Sequence, residues 1–267
     1  MLREAYIEIA GRRLRYLYAG SGWPLVLLHA FPLSADLWRP QLDRVPRGWQ
    51  FLAPDIRGFG PGSSGSGIGS LNDMAADVSA FLDALEIDRA AIGGLSMGGY
   101  ITMALYRAAP ERFTAMLLAN TKATADSPEA RTARDQMVAL VNREGPSAVA
   151  NQMLPKLLGA TSHGARRHLE PLVRRLIEGN TAGGIAAAIQ AIRDRPDSML
   201  TLERAAVPAL VITGDEDAII PVSESEAMHG VMPRSQLVVL PSAGHLSSLE
   251  VPDDSSEALG TFLRANL

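Results

Sequence analysis

The chain has no cysteine among its 267 residues, which excludes disulfides, thiolate nucleophiles and cysteine-ligated metals without fixing a compartment. It also lacks any run of about 18 apolar residues, so no membrane span is expected. No apolar signal core follows Met1-Leu2-Arg3-Glu4, where the chain passes directly into a strand pattern, and a cytoplasmic, soluble protein is the expectation. Charge of one sign is lacking too. With 25 Lys and Arg against 29 Asp and Glu, the formal net charge of −4 gives no electrostatic basis for nucleic-acid binding. What is plentiful is apolar: 47% hydrophobic residues, enough for one α/β domain with an insertion to bury a two-sided sheet.

Apolar periodicity gives the organisation. Ile7 and Ile9, then Leu14, Tyr16 and Tyr18, flank Ala10-Gly11 as the two strands of an N-terminal hairpin. Pro24-Leu25-Val26-Leu27-Leu28 is a continuous apolar run, as in a strand covered on both faces. Helix and strand patterns then alternate: a helix near Ser34 to Val45, a strand at Phe51 to Pro54, a helix at Leu71 to Leu85, a strand ending near Ile92, a helix after it, and a sixth strand from Phe113 to Ala119. The alternation resumes at Val207 and predicts a mostly parallel sheet flanked by helices. Residues 121–204 are helical in pattern with no strand candidate. They are expected as a helical cap inserted after the sixth strand, with 1–120 and 205–267 forming the core. No internal repeat is found.

Gly93-Gly94-Leu95-Ser96-Met97-Gly98-Gly99 sits where a strand run ends and a helical run begins. Within it, Gly94-x-Ser96-x-Gly98 reads as a nucleophile elbow, with the serine held in a strained turn and glycines where a Cβ would keep strand and helix apart. A serine hydroxyl is a poor nucleophile alone. A base, an orienter for that base and donors for an oxyanion must come from elsewhere in the chain. Of the five histidines, His163 and His168 lie in a polar, Arg-rich helical stretch and His229 late in a helical run. His245 follows the short β run Gln236 to Leu240, in a small-residue loop, and is the expected base. Another buried-strand pattern, Pro208 to Thr213, ends in Gly214-Asp215-Glu216-Asp217, which offers two aspartates for the orienting acid.

The order Ser, Asp, His, each just past a strand, resembles that of the α/β-hydrolases. The matching pieces are His29-Ala30-Phe31-Pro32, Asp55-Ile56-Arg57-Gly58-Phe59-Gly60, the Ser96 elbow, Gly214-Asp215-Glu216-Asp217 with Pro221, and Gly244-His245. The resemblance implies Asp217, four residues before the proline, as the acid. Asp215 is the runner-up, its alternative role being to bond loop amides. It also implies the backbone amides of Phe31 and Met97 as oxyanion hole, and no metal or cofactor. Ala30 stands where glycine is usual, and a positive φ there would strain it. Asn120, at the end of the sixth strand where some relatives carry the acid, cannot be an ionised partner. A serine at position 96 argues against haloalkane dehalogenases and epoxide hydrolases. The chain is most similar to enol-lactonase-like and cofactor-free haloperoxidase-like or esterase-like hydrolases.

The implied chemistry is cleavage of small carboxylic esters or lactones through an acyl-enzyme on Ser96, the small-molecule substrate being the expected partner. The same triad serves perhydrolysis and C–C, thioester or amide cleavage, and a low-turnover ligand-binding receptor is the alternative from another class. Trp38, Met137, Met153 and Leu246 are candidate substrate-binding residues; the competing reading of the two methionines is packing between cap helices. Arg166, Arg167, Arg174 and Arg175 are expected on a solvated helix face, with Glu170–Arg174 and Arg174–Glu178 pairs. The glycine-rich stretch Gly58 to Gly67 lacks the Lys-Ser/Thr ending of a phosphate loop and is expected as a flexible loop. Asp55 and Arg57 are expected to fix the start of that loop, and His29 to hold the oxyanion loop.

Overall fold

Ala10 and Gly11 both take positive φ, 48° and 72°, and turn β1 (Arg3–Ile9) back onto β2 (Arg12–Gly20). Two such residues in succession supply the twist that joins antiparallel strands tightly. The computed structural model describes residues 1–61, 63 and 69–266, so part of the expected Gly58–Gly67 loop lies outside the described residues. Six further strands follow: β3 (Trp23–Leu28), β4 (Trp49–Pro54), β5 (Ala90–Leu95), β6 (Phe113–Ala119), β7 (Ala209–Gly214) and β8 (Ser235–Leu240). One sheet results, in the order β1-β2-β4-β3-β5-β6-β7-β8. The β1–β2 and β2–β4 pairs are antiparallel and all others parallel, as the alternating pattern predicts. Strands β5 and β7 are buried throughout, because helices cover both faces of the sheet.

The helix expected near Ser34 to Val45 is instead a 3₁₀ turn, Ala35–Trp38, followed by a short helix, Arg39–Leu42. Pro40 accounts for the break: with no N–H to donate it fits only the first turn of an α-helix, so the residues before it wind separately.

Six helices and no strand lie between β6 and β7: Pro128–Glu144, Pro146–Leu157, Ala160–Ala165, Leu169–Glu178, Ala182–Arg193 and Met199–Glu203. Local signals set their ends. Ser127 accepts the Ala130 amide ahead of Pro128, Gly145 ends that helix at φ 79°, and Thr181 accepts the Gly184 amide. The insertion leaves and re-enters the core at one neck, where Arg195 pairs with Asp126 at 2.8 Å and the Ser198 amide donates to Ala123 O at 2.9 Å. The arginine face is only partly as expected. Arg174 pairs with Glu178 at 3.3 Å, but Glu170 turns to His163 at 2.9 Å. Arg166 is half-buried and donates to Ser242 O at 2.8 Å, so it docks the insertion onto the loop before His245 rather than facing solvent. Among the described residues, no helix is long and apolar enough to cross a membrane, and no group of His, Asp and Glu could hold a metal ion.

Candidate active site

Parallel pairing aligns the carboxyl ends of β5, β6, β7 and β8 along one edge, with Leu95 opposite Ala119, Ala119 opposite Ile212 and Gly214 opposite Leu240. The loops that leave this edge carry Ser96, Asn120, Asp217 and His245. Ligands of open α/β sheets bind beyond that end of the strands.

Ser96 joins β5 to the helix Met97–Ala108 with φ 54° and ψ −109°, a conformation that disfavours a side chain and turns the residue sharply out of the strand. The flanking glycines make the turn possible. A Cβ on Gly94 would stand 2.6 Å from both Gly98 C and Leu28 O, and one on Gly98 would stand 2.2 Å from Leu28 O. Three hydrogen bonds fix the elbow: Ser96 N to Ala119 O at 2.9 Å, Gly99 N to Ser96 O at 2.9 Å, and Thr121 Oγ1 to Ser96 O at 2.9 Å. Ser96 itself is half-buried. The amide of Met97, at the first helical position, has no acceptor within its own helix.

His245 Nδ1 lies 2.8 Å from Asp217 Oδ2. That oxygen also accepts Asn120 Nδ2 at 2.9 Å, while Asp217 Oδ1 accepts the Ile219 and Ile220 amides at 2.8 and 2.9 Å. Burial acts to raise the Asp217 carboxyl, but the neighbouring His245, the Ile220 amide and Asn120 outweigh it and hold the carboxyl below the usual aspartate value. Asp215, the other candidate acid, turns away: it accepts the Ala243 amide at a long 3.4 Å.

The sequence excludes Asn120 as the acid and points to no other role for it. Its structural role is to hold Asp217. Its amide nitrogen also donates to Gly244 O at 3.1 Å, and its Oδ1 accepts Ser247 Oγ at 2.5 Å, so it grips the His245 loop on both sides. Its position directly after β6, one strand from the elbow, was the available signal.

The loop expected to carry the Phe31 oxyanion amide follows β3. Ala30 is not among the residues with positive φ, so the methyl group there causes no backbone strain. His29, fully buried, receives the Ile56 amide on Nε2 at 2.9 Å, and its Nδ1 lies 3.0 Å from Ala30 O. Burial lowers its pKa to about 4, so it is a neutral brace for the loop. Asp55 accepts the Ala35 amide at 2.7 Å and Arg15 at 3.1 Å, and burial raises its carboxyl to about 6. Asn180, from the insertion, carries no signal in the sequence: it donates to Pro32 O at 2.8 Å and accepts the Gly60 amide at 2.9 Å, tying the insertion to this loop. Phe31 is 4% exposed.

Of the expected substrate-binding residues, Trp38 and Leu246 are fully enclosed in the core, at 2% and 0% exposure. Met137 and Met153 lie half-buried on the helices Pro128–Glu144 and Pro146–Leu157 and pack against the core. A cavity of about 410 Å³ lies elsewhere, between the β1–β2 hairpin and the loop after β4, lined by Arg12, Arg15, Asp55, Arg57 and Phe59 among others. Arg12 and Arg57 are both engaged by Asp77, and Arg15 by Asp36 and Asp55. None of Ser96, Asp217 and His245 lines it.

Residues 24–252 match a family model described as alpha/beta hydrolase fold. The chain belongs to this α/β hydrolase family. The solved structure of a thermophilic esterase from Thermogutta terrifontis, with malate bound, aligns with this α/β hydrolase at a TM-score of 0.93 and 34% identity over 98% of each chain. The 3-oxoadipate enol-lactonase 2 of Acinetobacter baylyi is 28% identical over 241 residues, 90% of this chain and 88% of its own. The dihydrolipoyllysine-residue acetyltransferase component of the acetoin cleaving system of Pseudomonas putida is 30% identical over 262 residues, 96% of this chain and 68% of its own.

Proposed function

We propose that this α/β hydrolase cleaves small carboxylic esters or lactones through an acyl-enzyme on Ser96, with His245 as base, Asp217 as its orienting acid and the amides of Phe31 and Met97 as oxyanion hole. The observation that carries the reading is the positive-φ serine at the end of β5, on the same sheet edge as a bonded Asp–His pair. The likeness to an enol-lactonase and an esterase supports the substrate class.

His245 Nε2 takes the Ser96 proton as Oγ bonds to the acyl carbon, and the carbonyl electron pair moves onto oxygen. The two amides stabilise that negative charge, and Asp217 stabilises the imidazolium and fixes its tautomer. Collapse breaks the bond to the leaving oxygen, which receives the proton from His245. Water, deprotonated by the same imidazole, then releases the acid and restores Ser96.

The test is hydrolysis of short-chain p-nitrophenyl esters and simple lactones by the parent and by Ser96→Ala. The expected loss is about 10⁴-fold or more, as for a triad acting as a unit. Unchanged turnover in purified Ser96→Ala would overturn the mechanism.

A further inference from the structure

Glu250 is a carboxyl residue only 2% exposed, with no cationic side chain paired to it among the described residues. Burying such a group without a counter-charge is costly unless its acceptor capacity is filled. Backbone amides fill it, from two parts of the molecule. Oε1 accepts Leu246 N at 3.1 Å, the amide directly after His245, and Oε2 accepts Gly159 N at 2.8 Å, in the turn before the insertion helix Ala160–Ala165. The same turn is bound from the acid side. Glu216, adjacent to Asp217, accepts Thr161 N at 2.8 Å and Thr161 Oγ1 at 2.5 Å. Leu246 N also approaches Leu157 O at 3.2 Å, and a Cβ on Gly244 would stand 2.2 Å from Gly159 N, so the two backbones are in direct contact.

From this geometry we infer that the 157–161 turn of the helical insertion is a seat for the Asp217–His245 pair, and that Glu250 is the positioning residue that joins them. One carboxyl group spans the joint, so a shift of the insertion against the core moves the backbone amide next to the base. The insertion then acts on His245 through this joint. The inference rests on the proposed serine mechanism for its kinetic readout only; the position of the imidazole is a separate observable.

Glu250→Gln is the variant of choice, because it keeps the shape and one acceptor while forcing an amide N–H against a backbone N–H. The expected result is a fall in kcat of about 10- to 100-fold with KM altered by less than about threefold, since displacement of a reacting group costs rate more than binding. The downfield proton resonance between His245 and Asp217, assigned by its loss in Asp217→Asn, should broaden or shift. Rates are referred to sites counted with a fluorophosphonate. A lower melting temperature with unchanged kcat per labelled site and an unchanged resonance would reduce Glu250 to a structural part and overturn the inference. Glu250→Asp, too short to span both amides, should show the same losses and decides the question if the glutamine variant does not fold. Should the parent neither label nor hydrolyse any ester, the serine mechanism fails, and the resonance alone decides whether Glu250 positions His245.

Discussion

Asn120 donates an amide hydrogen to Asp217 at 2.9 Å, on the same carboxylate oxygen that His245 Nδ1 reaches at 2.8 Å. Asp217 is therefore held from the β6 side by a neutral donor and from the β8 side by the imidazole. Each donor favours the ionised form, so Asp217 keeps its charge when His245 gains a proton.

Asn120→Ala should lower kcat by about 10- to 100-fold, because it frees Asp217 and also releases Gly244 and Ser247 on the His245 loop. Asn120→Asp should behave differently. A second carboxyl beside Asp217 disfavours ionisation of the pair, which moves the acid limb of kcat/KM to higher pH. A pH–rate profile with the limb unmoved would remove Asn120 from the account of the acid.

Asp217→Asn should lower kcat by up to about 10⁴-fold through the wrong histidine tautomer. Asp215→Asn, at a residue that meets only the Ala243 amide and at 3.4 Å, should act on melting temperature rather than on rate. Kinetics and thermal melts on both proteins test the ranking, and the reverse order would move the acid to Asp215.

His29 sets a pH dependence of stability. Its pKa falls from 6.5 to about 4 on folding, so below about 6.5 the unfolded chain binds a proton that the folded chain refuses. Its stabilising contribution is present above that pH and is lost as pH falls towards 4, by about 3 kcal/mol in all. Asp55 opposes it: with its carboxyl raised to about 6 from 3.8, the folded state gains protons, and so stability, as pH falls through that window. Denaturant titrations should therefore show a smaller loss between pH 6.5 and 4.5 for His29→Gln than for the parent, and equal slopes would contradict the assignment.

The sheet and the elbow were legible because each rests on a local signal. Continuous apolar runs mark strands covered on both faces, and Gly94-x-Ser96-x-Gly98 marks a turn in which only glycine fits beside Leu28. Asp217 needed the spacing to Pro221, since the rival Asp215 is chemically identical. Asn120, Asn180 and Glu250 were not legible. Each does its work by bonding backbone groups more than 90 residues away or on a loop whose path the sequence does not specify, and an isolated Asn or Glu carries no periodicity that points to such partners. The same holds for Arg166: helical spacing predicts a solvated face, whereas the docking of the insertion brings it onto Ser242 O.

The helical insertion, rather than the candidate triad, should set substrate choice. The Ser96, Asp217 and His245 side chains come from loops of the β5, β7 and β8 strand ends, and any acyl carbonyl that reaches Ser96 can satisfy them. The insertion is tied down beside both groups of loops, through Asn180 at Pro32 and through Gly159 at Glu250, which is the basis for expecting its helices to bound the approach. Met137 and Met153 are half-buried on two of those helices and are unbranched, so truncation should open space more than it collapses a core. Met137→Ala and Met153→Ala are expected to shift the preferred acyl length of p-nitrophenyl esters while leaving phosphonate labelling of Ser96 intact. If both keep the parent chain-length profile, the methionines are internal packing of the insertion. Selectivity would then have to be sought near Phe31, Trp38 and Leu246, all of them buried.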